Sequence, residues 1–175
     1  MIVKETGSSD WEAAPVGVQP AVCVNVFDIG LQPGYQGGPP SHKVVVLWEL
    51  TGQSRRQDGK RFLLTKTYTA SLSEKATLRH DLEAWRSRPL TPDELEGFEL
   101  DNIKTKACQL VLVSKPSNGK TFVNIETVLP KQGGEVPEVE TQSDFIPDWI
   151  KKKIAEQIQP KQPENPMPFD DDIPF

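Results

Sequence analysis

Four cations crowd seven residues of this chain, Arg55, Arg56, Lys60 and Arg61, and directly after them Phe62, Leu64, Lys66 and Tyr68 recur at every second position. Alternate residues of a strand share a face, so rings and a cation would lie side by side there. Guanidinium and ammonium groups meet phosphates, and flat rings offer surfaces on which any base can stack. Residues of these types at this spacing suit a single nucleic-acid strand held with little regard to its sequence. The rival use of Phe62 and Tyr68 is core packing, and that of the four cations a solvated hairpin tip. Trp48 shares a face with Val44, Val46 and Leu50 and fits a core as well as a stacking platform. Lys43, beside a Gly/Pro loop that carries Tyr35, and Lys115 and Lys120, which flank a later turn, extend the candidate set. Arg79, Arg86 and Arg88 lie near Trp85, but Asp81 and Glu83 on the same helix favour ordinary solvation.

Positioning these groups requires a small β domain. Gly17 to Ile29, Lys43 to Leu50 and Arg61 to Tyr68 read as three strands, and the Asp58-Gly59 pair between the second and third signals an antiparallel hairpin. The period then changes. Ser71 to Glu74 has capping-box spacing, and Ala76, Leu78, Leu82 and Trp85 recur at roughly helical intervals, predicting a helix over 72–87 that Pro89 stops. Thr91-Pro92-Asp93-Glu94 opens a second, short helix that Gly97 ends. Ala107 to Ser114 and Thr121 to Leu129 are two more strands, joined by a turn through Pro116-Ser-Asn-Gly119. The expected class is mainly β: a five-stranded OB-fold-like barrel with a helix between the third and fourth strands, followed by a disordered C-terminal tail. That order of elements belongs to a small Greek-key barrel that binds oligonucleotides and oligosaccharides on its second and third strands. An oligosaccharide- or protein-binding module is therefore an alternative.

Charge is unevenly distributed. Residues 1–131 hold 16 Lys and Arg against 15 Asp and Glu, and residues 132–175 hold 4 against 10, so the formal charge of −5 belongs to the C-terminal part. A near-neutral body still binds nucleic acid if its cations share one face. No apolar run approaches eighteen residues and no charged-then-apolar leader opens the chain, which predicts no membrane contact and a cytoplasmic location. Cys23 and Cys108 lie far from His42 and His80 and form no metal-ligand spacing; they read as buried, inert thiols. No nucleophile pattern, phosphate-cradling loop or clustered carboxylates stand out, so neither an enzyme nor a cofactor is expected. The chain divides into an arm at 1–16, a domain at 17–131, a linker with a short amphipathic helix at 132–158, and a tail at 159–175. In that helix Ile150, Ile154 and Ile158 form one stripe, which docks on the barrel or on a partner.

The tail ends in Phe169, Asp170, Asp171, Asp172, Ile173, Pro174 and Phe175. Three adjacent carboxylates and two flanking prolines cannot build a core element. They suit capture by a partner with a hydrophobic pocket and a basic rim. This run resembles the acidic C-terminal tip of bacterial single-stranded DNA-binding proteins, which in that family recruits replication, recombination and repair proteins. Trp48-Glu-Leu50, Tyr68-Thr-Ala-Ser-Leu72, Lys75-Ala-Thr-Leu-Arg79, Asp81-Leu-Glu-Ala-Trp-Arg86 and Gly97-Phe98 are similar to a group of bacteriophage single-stranded DNA-binding proteins. The two resemblances imply a phage protein in the bacterial cytoplasm that coats single strands, as a monomer or as a homo-oligomer. Its tail would recruit host or phage partners and, in the free protein, compete with DNA for the basic groove. The alternative is an adaptor or inhibitor that uses the tail alone to occupy the partners' pockets.

Overall fold

In the computed structural model, residues 12–159 are described. Five strands, β1 (Gly17–Gln32), β2 (Ser41–Leu50), β3 (Leu63–Thr69), β4 (Ala107–Ser117) and β5 (Lys120–Pro130), form one antiparallel sheet in the order β3-β2-β1-β4-β5. The sixteen residues of β1 serve both halves: Gly17 to Val22 pair with β4, and Ala21 to Gln32 pair with β2. Irregularities between Cys23 and Asn25 and between Asp28 and Gly30 bend the strand, as bulges do. The sheet curls until its edges, β3 and β5, come near each other. No ladder joins them, so the sheet is not closed; the Lys66 ammonium donates across to the Glu126 carbonyl at 3.2 Å.

The turn chemistry follows the residues. At the β2–β3 hairpin Gly59 takes a φ of +81°, a left-handed value that favours glycine, and its N–H donates to the Arg56 carbonyl. Between β4 and β5, Ser117 pairs with Lys120 around Asn118 and Gly119, both at positive φ, the geometry a tight two-residue hairpin requires. That tight turn lets β4 and β5 run to Ser117 and from Lys120, beyond the predicted strand ends.

Helix α1 (Thr77–Arg86) starts later than the spacing at Ser71 predicts. The Ser71 hydroxyl accepts the Ser73 N–H two residues on, which stabilises a turn, and Ala76 takes the cap position without a side-chain bond. Helix α2 (Pro92–Glu96) keeps its predicted capping box: the Thr91 hydroxyl accepts the Glu94 N–H, and the Glu94 carboxylate accepts the Thr91 N–H. Arg86 grips the same carboxylate at 2.5 and 2.8 Å, and its hydrogen bonds hold that carboxyl down at about 2. A 3-10 turn at Leu100–Ile103, with no clear sequence signal, leads into β4.

Two apolar clusters lie on opposite faces of β2. Val44, Val46, Trp48 and Leu50 face inward with Leu78 and Leu82 of α1 and Leu110 and Leu112 of β4. Val45 and Leu47 face outward with Val24, Phe27 and Ile29 of β1, and Ile150 of helix α3 (Asp148–Ala155) covers them. Ile150 is fully buried; enclosing such a side chain contributes about 1.5–3 kcal/mol. The chain from Glu138 to Ile158 is thus a strap laid over the outside of the sheet, the amphipathic helix docking on the sheet, one of the two places expected for it. The Asn25 amide donates to the Ser143 carbonyl, Gln32 to the Lys153 carbonyl, and the Ile158 N–H to the Leu31 carbonyl. At Gly30 a φ of +67° favours glycine, and the Gln157 side chain would have to shift to admit a Cβ. Cys23 and Cys108 are buried and unpaired; burial pushes the Cys23 thiol up to about 12 and raises Cys108 in the same direction. No helix among the described residues is long and apolar enough to cross a membrane.

Candidate nucleic-acid interface

The register decides which predicted residues face solvent. Val44, Val46 and Trp48 pair with Tyr68, Lys66 and Leu64, and cross-strand partners share a face. Leu64, Lys66 and Tyr68 therefore point inward with the core. Trp48 is 1% exposed, Tyr68 3% and Phe62 8%, which removes all three as base-stacking platforms. Trp48 instead packs against Trp85, ring centroids 6.4 Å apart. Tyr68 donates its hydroxyl to Asp81 at 2.7 Å, and burial pushes the phenol well above its ordinary range, with Asp81 adding to the effect. Lys66 also ends on Asp81, at 2.7 Å, so its charge is spent inside the fold. The alternation along β3 holds, but the interior lies on the side taken for the binding face, because α1 covers that side.

The opposite face of β3 carries Leu63, Thr65 and Thr67, and a trough runs along it. At the hairpin end, a cavity of about 500 Å³ is bordered by Arg56, Lys60, Arg61, Leu63 and Phe145. Next comes a cavity of about 420 Å³ bordered by Leu63, Thr65, Phe122, Phe145 and Trp149. A third, of about 300 Å³, is bordered by Thr67, Lys43, Trp149 and Lys153. Shared walls, first Leu63 and Phe145 and then Trp149, join the three end to end. Phe122, Phe145 and Trp149 line it and are 37%, 41% and 42% exposed. The strap supplies two of these rings, β5 the third, and cations stand at both ends.

Composition and period did not point to Phe122, Phe145, Trp149 or Leu63. A usable signal existed for Trp149, which falls beside the buried Ile150 and off the Ile150, Ile154, Ile158 stripe. An aromatic at the polar edge of an amphipathic helix is free to serve as a platform. Outward Val45 and Leu47 were the corresponding sign that something covers β2.

The predicted cations divide by their partners. Arg55 makes a bidentate pair with Glu140 at 2.8 and 3.0 Å, and hydrogen bonding from Arg55 holds the Glu140 carboxyl below its ordinary range. Arg61 donates to Glu49 at 3.0 Å and to the Glu138 carbonyl at 2.7 Å. Arg56 lies 3.7 Å from Asp58. Lys60 is exposed on the trough and forms no ion pair among the described residues. Lys43, at the far end, donates to the Thr69 hydroxyl. Lys115 pairs in register with Phe122, and Lys120 lies two positions before it, so both exposed lysines belong to the Phe122 face. Away from the trough, Arg79 pairs with Glu83 and Arg86 with Glu94. Tyr35 projects from the β1–β2 loop, 87% exposed.

Glu49 fastens the strap. Its carboxylate is 1% exposed and accepts the Glu140 N–H at 2.9 Å, the Thr141 N–H at 2.8 Å, the Thr141 hydroxyl at 2.5 Å and Arg61. Burial alone would raise this carboxyl, but the hydrogen bonds, that of the Thr141 hydroxyl foremost, outweigh burial and hold it below its ordinary range. The predicted partner-binding run from Phe169 through Asp170, Asp171, Asp172, Ile173 and Pro174 to Phe175 lies outside the described residues, as does most of the N-terminal arm. No family model and no curated protein sequence matches the chain.

Proposed function

We propose that the chain binds single-stranded DNA along the trough over β3, stacking bases on Phe145 and Trp149 while Lys60, Arg56, Lys43 and Lys153 meet phosphates. The observation that carries this reading is the pair of partly exposed rings, Phe145 and Trp149, between two cationic ends. A flat ring takes any base and a duplex offers none, so such a pair favours unpaired strands of any sequence. The sheet supports the reading too. An order of β3-β2-β1-β4-β5 with β3 beside β5 is what an OB-type barrel gives when opened between its third and fifth strands. The ligand side of that barrel is the outside of strands two and three. Here the strap covers the outside of β2, which leaves β3, β5 and the strap itself as the binding surface.

The acidic run Asp170–Phe175 is the proposed recruiting segment for replication, recombination or repair proteins. Deleting it is expected to abolish capture of such partners and to tighten DNA binding if it also competes for the cations. Weaker DNA binding by the truncated protein would contradict that second role.

Fluorescence anisotropy with a labelled single strand and its duplex, at low and moderate salt, tests the reading. Binding is expected to favour the single strand and to fall with a log–log salt slope of about 0.7 per phosphate neutralised. A flat salt response, or equal affinity for the duplex, would refute it. Absence of binding at low salt would leave a non-DNA-binding adaptor that acts through its tail.

A further inference from the structure

Two guanidinium groups converge on one exposed carboxylate at the hairpin end of the trough. Glu140 receives both terminal nitrogens of Arg55, at 2.8 and 3.0 Å, and lies 3.6 Å from the Nε of Arg61. Its side chain is 48% exposed, so the pair is reached by solvent and by ligand. Exposed pairs of this kind contribute little to stability. The strap does not depend on this carboxylate for its place, because the backbone N–H groups of Glu140 and Thr141 are held by Glu49. Meanwhile the Nε atoms of Arg56 and Arg61, both on the same cavity, are buried without a hydrogen-bond partner. Guanidinium nitrogens on this cavity therefore keep donors that no protein oxygen among the described residues satisfies.

We infer that Glu140 stands where a phosphate of the bound strand belongs, between Arg55 and Arg61, and that the ligand displaces it. The inference rests on the trough being the binding surface. It assigns Arg55 and Arg61 as phosphate ligands that the free protein keeps neutralised with its own strap. The two non-bridging oxygens of a phosphodiester fit the fork of Arg55 as the carboxylate does, and the one in the place of Glu140 Oε1 faces the Nε of Arg61 as well. Displacement frees the Glu140 carboxylate to gather a counterion, so part of the counterion release that drives binding is cancelled in the wild-type protein.

Glu140→Gln tests this against Glu138→Gln, which removes the same charge two residues away without touching Arg55. Anisotropy with a labelled oligothymidylate is expected to show Glu140→Gln binding about tenfold tighter than wild type at low salt. The log–log salt slope should steepen by about 0.7, one phosphate's worth for a single strand. Glu138→Gln should show a smaller gain, and adding Arg55→Ala to Glu140→Gln should erase the tightening. Inorganic pyrophosphate serves as a second probe, followed by NMR of the arginine Nε–H groups. It is expected to shift Arg55 and Arg61 in Glu140→Gln at lower concentration than in wild type. Equal affinities for the two glutamine variants, together with no pyrophosphate shift, would overturn the inference while leaving ring-dependent DNA binding intact. Pyrophosphate shifts without any oligonucleotide binding would uphold the anion site and overturn the DNA reading instead.

Discussion

Trp149→Ala and Phe145→Ala are each expected to weaken single-strand binding by about 5- to 150-fold, since stacking one base on an aromatic ring is worth about 1–3 kcal/mol. Both side chains are about two-fifths exposed, and neither supplies the fully buried anchor of the strap, which is Ile150. Thermal unfolding should therefore change little, and the loss should fall on affinity at every salt concentration. The salt slope itself should stay constant, because no phosphate contact is removed. Lys60→Ala is expected to do the reverse, flattening the slope by about 0.7 while leaving the stacking contribution in place. Trp48→Ala provides the contrast. That ring is 1% exposed, and truncating a buried aromatic costs about 3–5 kcal/mol of stability. Isothermal titration with oligothymidylate, paired with unfolding curves, separates the cases. Unchanged affinity in both Trp149→Ala and Phe145→Ala would remove the trough from consideration as a base-stacking surface.

The contrast between Trp48 and Trp149 shows what the sequence could and could not reveal. Strand positions were legible because period-two alternation and the Asp58-Gly59 and Asn118-Gly119 pairs are local signals, set by φ preferences and neighbouring residues. The capping box at Thr91 was legible for the same reason. Which face of β3 is interior was not, since Phe62 to Tyr68 and Leu63 to Thr67 are both mixed, and the choice depends on where α1 and β4 settle. Similarly the strap has no period of its own from Glu138 to Ser143. Its position is decided by Glu49, an acidic residue in an otherwise apolar strand that needs donors from elsewhere in the chain. The cations at the hairpin were found by type, but the Arg55–Glu140 pair joins residues 85 positions apart and the Thr141–Glu49 bond residues 92 apart. Local pattern carries no information on such a contact.

Removing the Glu49 carboxylate is expected to have the largest effect on the strap. Glu49→Ala leaves the N–H groups of Glu140 and Thr141 without their acceptor and Arg61, whose side chain is 15% exposed, without its main partner. Breaking one side of a buried, hydrogen-bonded pair costs about 3–5 kcal/mol. The inner cluster does not contain the strap, so the damage should concentrate outside the sheet. Hydrogen exchange is expected to rise first at Glu140 and Thr141 and then along the segment to α3, while β4 and β5 keep their protection. Because Phe145 and Trp149 ride on the strap, single-strand affinity should fall although none of the trough's rings or cations has changed. Acid should reproduce the effect. The Glu49 carboxyl is held below its ordinary range in the folded protein, so its contribution is full above the unfolded value of about 4.3 and is lost as pH falls through the lower folded value. Exchange protection at Glu140 and Thr141 should therefore persist through neutral and mildly acidic pH and disappear only below the ordinary glutamate range. Retained protection there in Glu49→Ala would mean that Ile150 and the side-chain amides of Asn25 and Gln32 hold the strap unaided, and that Glu49 has no part in presenting the two rings.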